Sequence, residues 1–472
     1  MSLRKGIHEI MKIKTFRKHF KNLFLIVLAL LTLGSTMVGC SAGKGESPTK
    51  PESPESPEFP ESPMSPDPEP EDPPAGLTAP PDDIVREGIG ALTSMELVRT
   101  MKAGWNLGNT LDAHWNARVW GSINVPSDQE TLWGNPVTTK EMIDFIKDSG
   151  FNVVRIPVTW YIFTGPGPDY IIDDKWMDRV QEVVDYVIDN EMFAILNIHH
   201  DDYRSGSNWE CGWLKLYGHD GPLAEDEKAE LRHRFGRLWG QIAERFKDYN
   251  EYLLFDGINE PHTSFLHNHT KETWEEQSLF LNELLQIFID TVRASGGNNP
   301  DRHLMVAPYY ASVGMEPNDR DGRIAHFVDK DNGTLWLNDP RERLIVSLHY
   351  YEPWGFVTAP EDSQWFSRYF DLDVGSVSHN MDVLFRILEE NFIAYGIPVI
   401  MGETGALNRK MPDGGTNEAE RVKWAEYFFT GLKELNIPVV IWDDGGQFQL
   451  LERNILKWLY PDFISAFTGI YN

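Results

Sequence analysis

The sequence predicts a TIM (β/α)8 barrel, and three observations support this fold class. Eight short apolar runs rich in Val, Ile and Leu recur along the chain, at 103–107, 151–157, 192–198, 253–258, 304–308, 344–350, 397–402 and 437–442. They are nearly continuous in apolar residues, as strands buried on both faces of a parallel sheet are. Helical stretches separate most of them, and eight such units are typical of a barrel with enlarged loops.

The segments between the runs carry apolar residues at helical spacing. Met142, Ile143 and Ile146 share one face of the first segment, as they would in an amphipathic helix. The pattern predicts helices at 138–149, 175–189, 224–247, 272–294, 380–394 and 417–434, and no clear helix between the fifth and sixth runs. A doubly wound open sheet is the alternative fold, but no glycine-rich phosphate turn follows the first run.

Residues 1–39 have the features of a secretory leader. Seven Lys and Arg side chains precede an apolar run of eleven residues, 23–33, which is too short to span a bilayer and suits a signal peptide. The segment 36–41 resembles a bacterial lipobox, in which Cys40 would be acylated. We therefore expect an extracytoplasmic protein held by lipid at a bacterial membrane or cell surface. An ordinary signal peptide is the alternative, and either Met1 or Met11 could start translation.

We expect residues 40–83 to form a linker between this leader and a single folded domain at 84–472. Thirteen prolines fall between Pro48 and Pro81, and three of them begin Pro-Glu-Ser triplets. Proline restricts φ and removes backbone donors, and the carboxylates repel one another, so an extended spacer is expected. Such a spacer would hold the domain away from the membrane.

The bulk composition narrows the class of partner. A formal net charge of −29 disfavours nucleic acid and anionic lipid surfaces but is compatible with a neutral polysaccharide. With only two cysteines, Cys40 and Cys211, no disulfide framework is expected. We expect a monomer without metal or cofactor, in contact with the membrane only through its lipid.

Polar residues follow most of the apolar runs, at the barrel face where active sites lie. Two of them are glutamates, Glu260 after the fourth run and Glu403 after the seventh. Breaking a glycosidic bond requires a proton for the leaving oxygen and a second group on the opposite face of the sugar. A pair of carboxyl groups can supply both, and a separation of about 5–5.5 Å would make the second carboxylate a nucleophile.

An ordered set of motifs resembles glycoside hydrolase family 5, whose members are retaining barrel enzymes. The motifs are GWNLGNT at 104–110, FNVVRIP at 151–157, NEP at 259–261, HYY at 349–351 and GE at 402–403. This resemblance implies an endo-β-1,4-glucanase acting on cellulose-type or related β-glucans. Xyloglucan, mixed-linkage glucan, xylan and mannan remain alternative substrates of the same mechanism.

The resemblance also implies a role for each matching residue. Glu260 would be the acid/base and Glu403 the nucleophile, with Arg155 and Tyr351 supporting Glu403. The remaining residues that the resemblance places in the substrate site are Asn109, His199, His200, Asn259, His349 and Trp442. Within this set, Asn259 would hold the sugar 2-hydroxyl and Trp442 would lie beneath the sugar before the scissile bond.

Two further readings come from other functional classes. The 199–202 segment, HHDD, suggests a metal-dependent hydrolase, but it lacks common zinc-ligand spacing, and adjacent strand residues point to opposite faces. A non-catalytic glycan-binding lipoprotein would normally have lost one catalytic carboxylate, and both are present. Trp209, Trp213 and Trp354 could serve either as sugar platforms or as packing residues.

Overall fold

A computed structural model describes residues 88–114, 125–202, 204–206, 209–218, 221–262, 271–313, 320–364, 366–370 and 377–472. Its centre is a closed barrel of eight parallel strands, which confirms the predicted fold class. The strands are β1 Gly104–Leu107, β2 Val153–Ile156, β3 Phe193–Asn197, β4 Leu253–Asp256, β5 Leu304–Val306, β6 Leu344–His349, β7 Val399–Thr404 and β8 Val439–Asp443. Each strand pairs with its neighbours in sequence, and β1 closes the barrel against β8.

Helices surround the barrel, and six of the long ones lie where helical spacing was expected; Pro461–Tyr471 was not predicted. The long helices are Lys140–Asp148, Asp174–Asp189, Glu225–Arg245, Lys271–Ala294, Val377–Asn391, Glu418–Glu434 and Pro461–Tyr471. Shorter helices span Ser94–Thr100, Pro126–Glu130, Arg320–Ala325 and Trp354–Val357. Among its described residues, the link between β5 and β6 contains a short 3-10 turn at Tyr309–Ala311, the helix Arg320–Ala325 and a small hairpin, Val328–Asp329 with Thr334–Leu335. It has no long helix in its described residues, in agreement with the weak helical pattern there. Within the described ranges, no helix is both long and apolar enough to cross a membrane.

Side chains inside the barrel form an apolar lower layer and a polar upper layer. Val153, Ile195 and Leu254 belong to the lower layer, which the helix Ser94–Thr100 covers from below. Two residues further along its strand, each is followed by a buried polar residue: Arg155, Asn197 and Asp256 respectively. Since side chains on a strand alternate between faces, these polar residues share the interior with the apolar layer beneath them. The interior therefore changes from apolar to polar toward the carboxyl ends of the strands.

A bulge in β7 sets the direction of Glu403. Leu348 pairs with Met401 and the next residue of β6, His349, pairs with Glu403, so β7 contains one extra residue. The pairing with β8 shows the same shift. Ile400 lies in the interior layer, and simple alternation would turn residue 403 outward. Because of the extra residue, Glu403 faces inward, consistent with the frequent occurrence of bulges beside active sites.

The predictions for the amino-terminal part lie outside the described residues. These are the leader at 1–39, the lipidation of Cys40 and the linker at 40–83.

Candidate active site

The site is organised around one buried cation, Arg155, whose side chain is fully buried. Its guanidinium donates to Glu403 Oε1 over 2.7 Å and to Asp256 Oδ2 over 3.2 Å. It also donates to the side-chain oxygens of Asn106, over 3.1 Å, and Asn259, over 2.8 Å. Burial opposes the charge, but the two carboxylates outweigh it and keep the pKa of Arg155 above its ordinary value. Arg155 thus links side chains from or just beyond β1, β2, β4 and β7.

Glu403 is 5% exposed and receives hydrogen bonds at both carboxylate oxygens. Arg155 donates to Oε1, and the Tyr351 hydroxyl donates to Oε2 over 3.1 Å. Burial, followed by the charge of Glu403, raises the pKa of Tyr351 well above its usual value, so this phenol remains a donor. Two donors on one buried carboxylate fix its orientation.

Glu260 lies beyond the end of β4 and contacts His349. Nδ1 of His349 lies 2.9 Å from Glu260 Oε1 and 3.7 Å from Glu403 Oε2. Burial lowers the pKa of His349 to about 4, so its imidazole is neutral near neutral pH. A neutral imidazole offers either a donor or an acceptor at Nδ1, depending on its tautomer. It can therefore pair with Glu260 whether Glu260 is protonated or ionised.

The two glutamates approach each other closely. One carboxylate oxygen of Glu260, one of Glu403 and a ring nitrogen of His349 all lie within 4.8 Å of one another. Carboxyl groups that hold a water between them in inverting glycosidases are about 6.5–9.5 Å apart, whereas retaining enzymes have about 5–5.5 Å. An approach of two carboxylate oxygens to within 4.8 Å favours the second geometry. Their environments also differ, since Glu403 is held by a cation and Glu260 by a neutral ring.

Two parallel rings lie on one side of this pair. The indole of Trp442, on β8, and the imidazole of His199, beyond β3, have centroids 5.9 Å apart and an interplanar angle of 2°. Nε2 of His199 lies 4.0 Å from Glu403 Oε1. The structure thus brings Arg155, His199, His349, Tyr351 and Trp442 to the two glutamates, and Asn259 joins them through Arg155.

The expectation that His199 and His200 point to opposite faces is wrong. Both lie beyond the last residue of β3, Asn197, so strand alternation does not apply to them. Their rings are 4.4 Å apart. His200 Nε2 lies 3.8 Å from Asp112 Oδ2, a carboxylate on the loop after β1.

Two groups of side chains in the described part of the chain have spacing that could hold a metal ion. They are Asp112 with His199 and His200, and Glu260 with His349 and Glu403. In the second group, the guanidinium of Arg155 already neutralises Glu403, and it would repel a further cation. In the first group, a metal would have to displace the proton of Asp112, because burial raises the pKa of that carboxyl to about 7.

The contacts described for the other predicted residues are with parts of the protein other than the two glutamates. Asn109 has a φ of 56°, and its carbonyl accepts a hydrogen bond from Asn135. The indole N–H of Trp213 donates to Asp201, and the Arg234 guanidinium lies 4.4 Å from its ring, which favours packing over a sugar platform. Trp354 is half-buried at the start of a short helix, and the side chain of Trp209 lies outside the described residues.

Sequence reasoning missed an aromatic group on the loops after β1 and β3. The ring of His114 lies 5.1 Å from Trp133 and 4.9 Å from His200. His200 was predicted, but His114 and Trp133 lie many positions beyond the end of β1, where no apolar run marks them. Asp112 was closer to detection because it ends the GWNLGNTLD segment, in which a carboxylate follows a buried strand by only five residues.

Comparison with known proteins identifies the family to which a chain with this geometry belongs. Residues 116–447 match the model of cellulase, glycosyl hydrolase family 5. The chain belongs to glycosyl hydrolase family 5. This family 5 hydrolase thus has the fold and the paired carboxylates that its motifs indicated.

Similar proteins cover nearly the whole described part of this family 5 hydrolase. Endoglucanase B of Clostridium cellulovorans is 35% identical over 391 residues, which are 81% of this chain and 77% of the relative. Endoglucanase A of Ruminococcus albus is 36% identical over 388 residues, 80% of this chain and 92% of the relative.

Among solved structures, a broad specificity endoglucanase from Ruminococcus champanellensis with bound cellotriose has a TM-score of 0.67 and 36% identity. It matches 80% of this chain and 98% of its own. A Caldicellulosiruptor family 5 lichenase in complex with cellotetraose has a TM-score of 0.68 and 30% identity. It matches 83% of this chain and 99% of its own.

Asp112→Asn is expected to make the family 5 hydrolase more stable, increasingly so as pH rises. Burial raises the pKa of Asp112 from 3.8 to about 7, and Oδ2 has no hydrogen-bond partner among the described residues. A carboxyl whose pKa is raised by folding favours the folded state when protonated, and this contribution is lost as pH rises through 7. The variant's advantage should therefore grow by up to about 1.4 kcal/mol per pH unit between pH 4 and 7.

Urea unfolding at pH 5, 6, 7 and 8 measures this gap, which is the difference in the free energy of unfolding between the variant and the unaltered protein. Asp148→Asn is the matched control, because Asp148 is exposed and the same substitution there should give no pH-dependent gap. A gap that stays constant over the range would contradict the assignment of a buried, protonatable Asp112.

Proposed function

We propose that this chain is an endo-β-1,4-glucanase that cleaves internal linkages of cellulose-type or related β-glucans with retention of anomeric configuration. The observation that carries the proposal is the approach of Glu260 and Glu403 oxygens to within 4.8 Å. Two carboxyl groups at this distance fit a double displacement, in which one attacks the sugar directly. The endoglucanases among its relatives support the choice of a β-glucan substrate.

In the first step, the Glu403 carboxylate attacks the anomeric carbon while Glu260 gives its proton to the glycosidic oxygen. The carbon–oxygen bond breaks, the shortened chain leaves, and the remaining sugar is joined to Glu403 as an ester. Arg155 and Tyr351 hold the attacking carboxylate in place. Pre-organised donors of this kind require no rearrangement during the reaction.

In the second step, Glu260 removes a proton from water, and the resulting hydroxide attacks the anomeric carbon. The ester bond breaks, Glu403 leaves as a carboxylate, and Glu260 is again protonated. When Glu260 is protonated, His349 can accept its hydrogen bond, and when Glu260 is ionised, His349 can donate one to it. This suits Glu260, which acts as an acid in the first step and as a base in the second. The amide oxygen of Asn259 faces Arg155, so its NH2 group can donate to the sugar 2-hydroxyl.

Glu403→Gln is expected to abolish turnover, because an amide cannot form the glycosyl ester. Glu260→Gln should slow release of a sugar leaving group by roughly 10²- to 10⁴-fold, the usual contribution of general acid–base catalysis. A 2,4-dinitrophenyl cellobioside distinguishes the two roles, since its leaving group needs no proton. With this substrate, Glu260→Gln should still release dinitrophenol in a first turnover and Glu403→Gln should not.

Glu434→Gln, on the exposed end of a surface helix, is the matched control and should leave both rates unchanged. Early NMR spectra of the products should show the retained anomer. Near-normal turnover by Glu403→Gln, or an inverted first product, would contradict the assignment.

Substrate preference is tested by measuring reducing sugar and viscosity on carboxymethyl cellulose, barley β-glucan, xyloglucan, xylan and mannan, with residues 84–472. We expect a rapid fall in viscosity on the glucans, because an endo-acting enzyme cuts within the chain. The structural neighbours include lichenases and a xyloglucan-specific endoglucanase from a metagenomic library, which supports testing mixed-linkage glucan and xyloglucan beside cellulose. Activity confined to xylan or mannan would overturn the glucan assignment while leaving the chemistry in place.

We further propose that the protein is exported and anchored through an acylated Cys40. The support is the sequence alone: a basic segment, a short apolar run, and a lipobox-like 36–41 before a proline-rich spacer. Expression of the full chain in a bacterium should place activity in the membrane fraction, and mass spectrometry should find a lipid on the fragment beginning at Cys40. Cys40→Ala should release activity from the membrane, whereas unchanged fractionation would contradict the anchor.

A further inference from the structure

Asp256, the last residue of β4, is fully buried and shares Arg155 with the nucleophile. Its Oδ2 atom accepts hydrogen bonds from Nε and Nη2 of Arg155, each over 3.2 Å. Glu403 accepts from the third nitrogen of the same guanidinium, Nη1, over 2.7 Å. The two carboxylates therefore bind different nitrogens of one cation, and both ion pairs form at the same time.

The other partners of Arg155 are neutral amides. Nη1 also donates to the side-chain oxygen of Asn106 over 3.1 Å, and Nη2 donates to that of Asn259 over 2.8 Å. A guanidinium has five N–H donors, and these contacts use all of them. Among the side chains that accept from Arg155 in the described part of the chain, only Asp256 and Glu403 can carry a negative charge.

Asp256 contributes its charge more than a network of hydrogen bonds. Its second oxygen, Oδ1, is buried and has no hydrogen-bond partner among the described residues. Burial raises the pKa of this carboxyl to about 6, and the charge of Arg155 acts against the shift. Asp256 is therefore mostly ionised above pH 7, and the guanidinium is the group that holds it in that form.

The charge of Glu403 changes during the proposed reaction, whereas that of Asp256 does not. When Glu403 attacks the anomeric carbon, its carboxylate becomes a neutral ester. The electron pair of the broken carbon–oxygen bond stays on the departing sugar, which takes the proton of Glu260. Asp256 is then the one anionic contact of Arg155 among the described side chains. Since a buried cation without a counter-ion is strongly unfavourable, the ester form of the protein depends on Asp256.

We propose that Asp256 is a positioning residue that acts through Arg155 and stabilises the glycosyl ester relative to the free enzyme. It stays paired with the guanidinium while Glu403 alternates between carboxylate and ester. It thereby determines the balance between formation and hydrolysis of the ester. This inference rests on the proposed double displacement, and it adds the residue that compensates the charge of Arg155 in the intermediate.

Asp256→Asn tests the proposal, because it removes the charge and keeps an oxygen that can accept from Arg155. The probe is 2,4-dinitrophenyl 2-deoxy-2-fluoro-cellobioside, whose glycosyl ester forms with release of dinitrophenol and is hydrolysed slowly. The burst of dinitrophenol gives the rate constant for formation of the ester. Recovery of activity after removal of excess probe gives the rate constant for its hydrolysis.

At pH 7.5, we expect Asp256→Asn to lower the rate constant for ester formation about 10- to 100-fold, the range typical when a partner that supports a functional side chain is removed. The rate constant for hydrolysis should be unchanged or higher, because the ester is the form that loses stability. If Asp256 only held Arg155 in place, its loss would misplace Glu403 and slow both steps, since the same carboxylate enters the ester and leaves it.

Two further variants separate charge from structure. Asp256→Glu keeps the charge and should keep the ratio of the two rate constants, even where its extra methylene slows both steps. Asp339→Asn is the matched control for loss of a buried ion pair. Asp339 lies on the turn before β6, away from the carboxyl ends of the strands, and binds Arg293 over 2.8 Å. It should leave both rate constants unchanged, and thermal unfolding of each variant verifies that the fold is intact.

Three results would overturn the proposal: equal slowing of both steps in Asp256→Asn, unchanged ester formation in that variant, or an Asp256→Glu protein with the same altered ratio. Failure of the retaining mechanism itself would be distinct. The unaltered protein would then form no ester with the probe, and mass spectrometry would find no added fluorocellobiosyl group.

Discussion

A single buried cation holds the active site together. Arg155 has no contact with solvent, and four side chains from different parts of the barrel share its guanidinium. A buried arginine is stable only when its charge and donors are matched, and removing one partner of a buried pair typically costs about 3–5 kcal/mol. Glu403 and Asp256 supply the charge, so the position of the reacting carboxylate depends on the same interactions that make the cation tolerable.

The layering of the barrel interior explains how such a cluster can exist within a stable fold. Beneath Arg155 the interior is filled by aliphatic side chains, and the helix Ser94–Thr100 closes that end. The polar residues lie one strand alternation higher, where the loops limit access of water. Burial there raises the pKa of Asp256 to about 6, and Arg155 acts against this shift. The lower layer supplies stability, and burial of the upper layer excludes water, so that the charged groups there interact strongly.

The fold and much of the site could be predicted because both depend on regular patterns. Eight apolar runs identified the strands, and the rule that active sites lie at strand ends selected Glu260 and Glu403 from 72 acidic residues. The prediction about His199 and His200 was wrong because the strand ends at Asn197, so the alternation of side chains along a strand does not extend to these two residues. His114 and Trp133 were missed because they lie on the loop after β1, many positions beyond the strand end, where no hydrophobic pattern marks them.

The bulge in β7 means that chain length, and not only residue identity, determines the nucleophile. One extra residue between Ile400 and Thr404 turns Glu403 toward Arg155, and without it the same glutamate would face the surrounding helices. Gly402 fits at this point with its carbonyl accepting from Asn106, and a Cβ there would lie 2.9 Å from the Ser347 hydroxyl. A redesign that kept every side chain of the site but shortened this strand by one position would retain the composition of the active centre and lose its reacting carboxylate. Alignment gaps at this position are therefore as informative about catalytic competence as the presence of the glutamate itself.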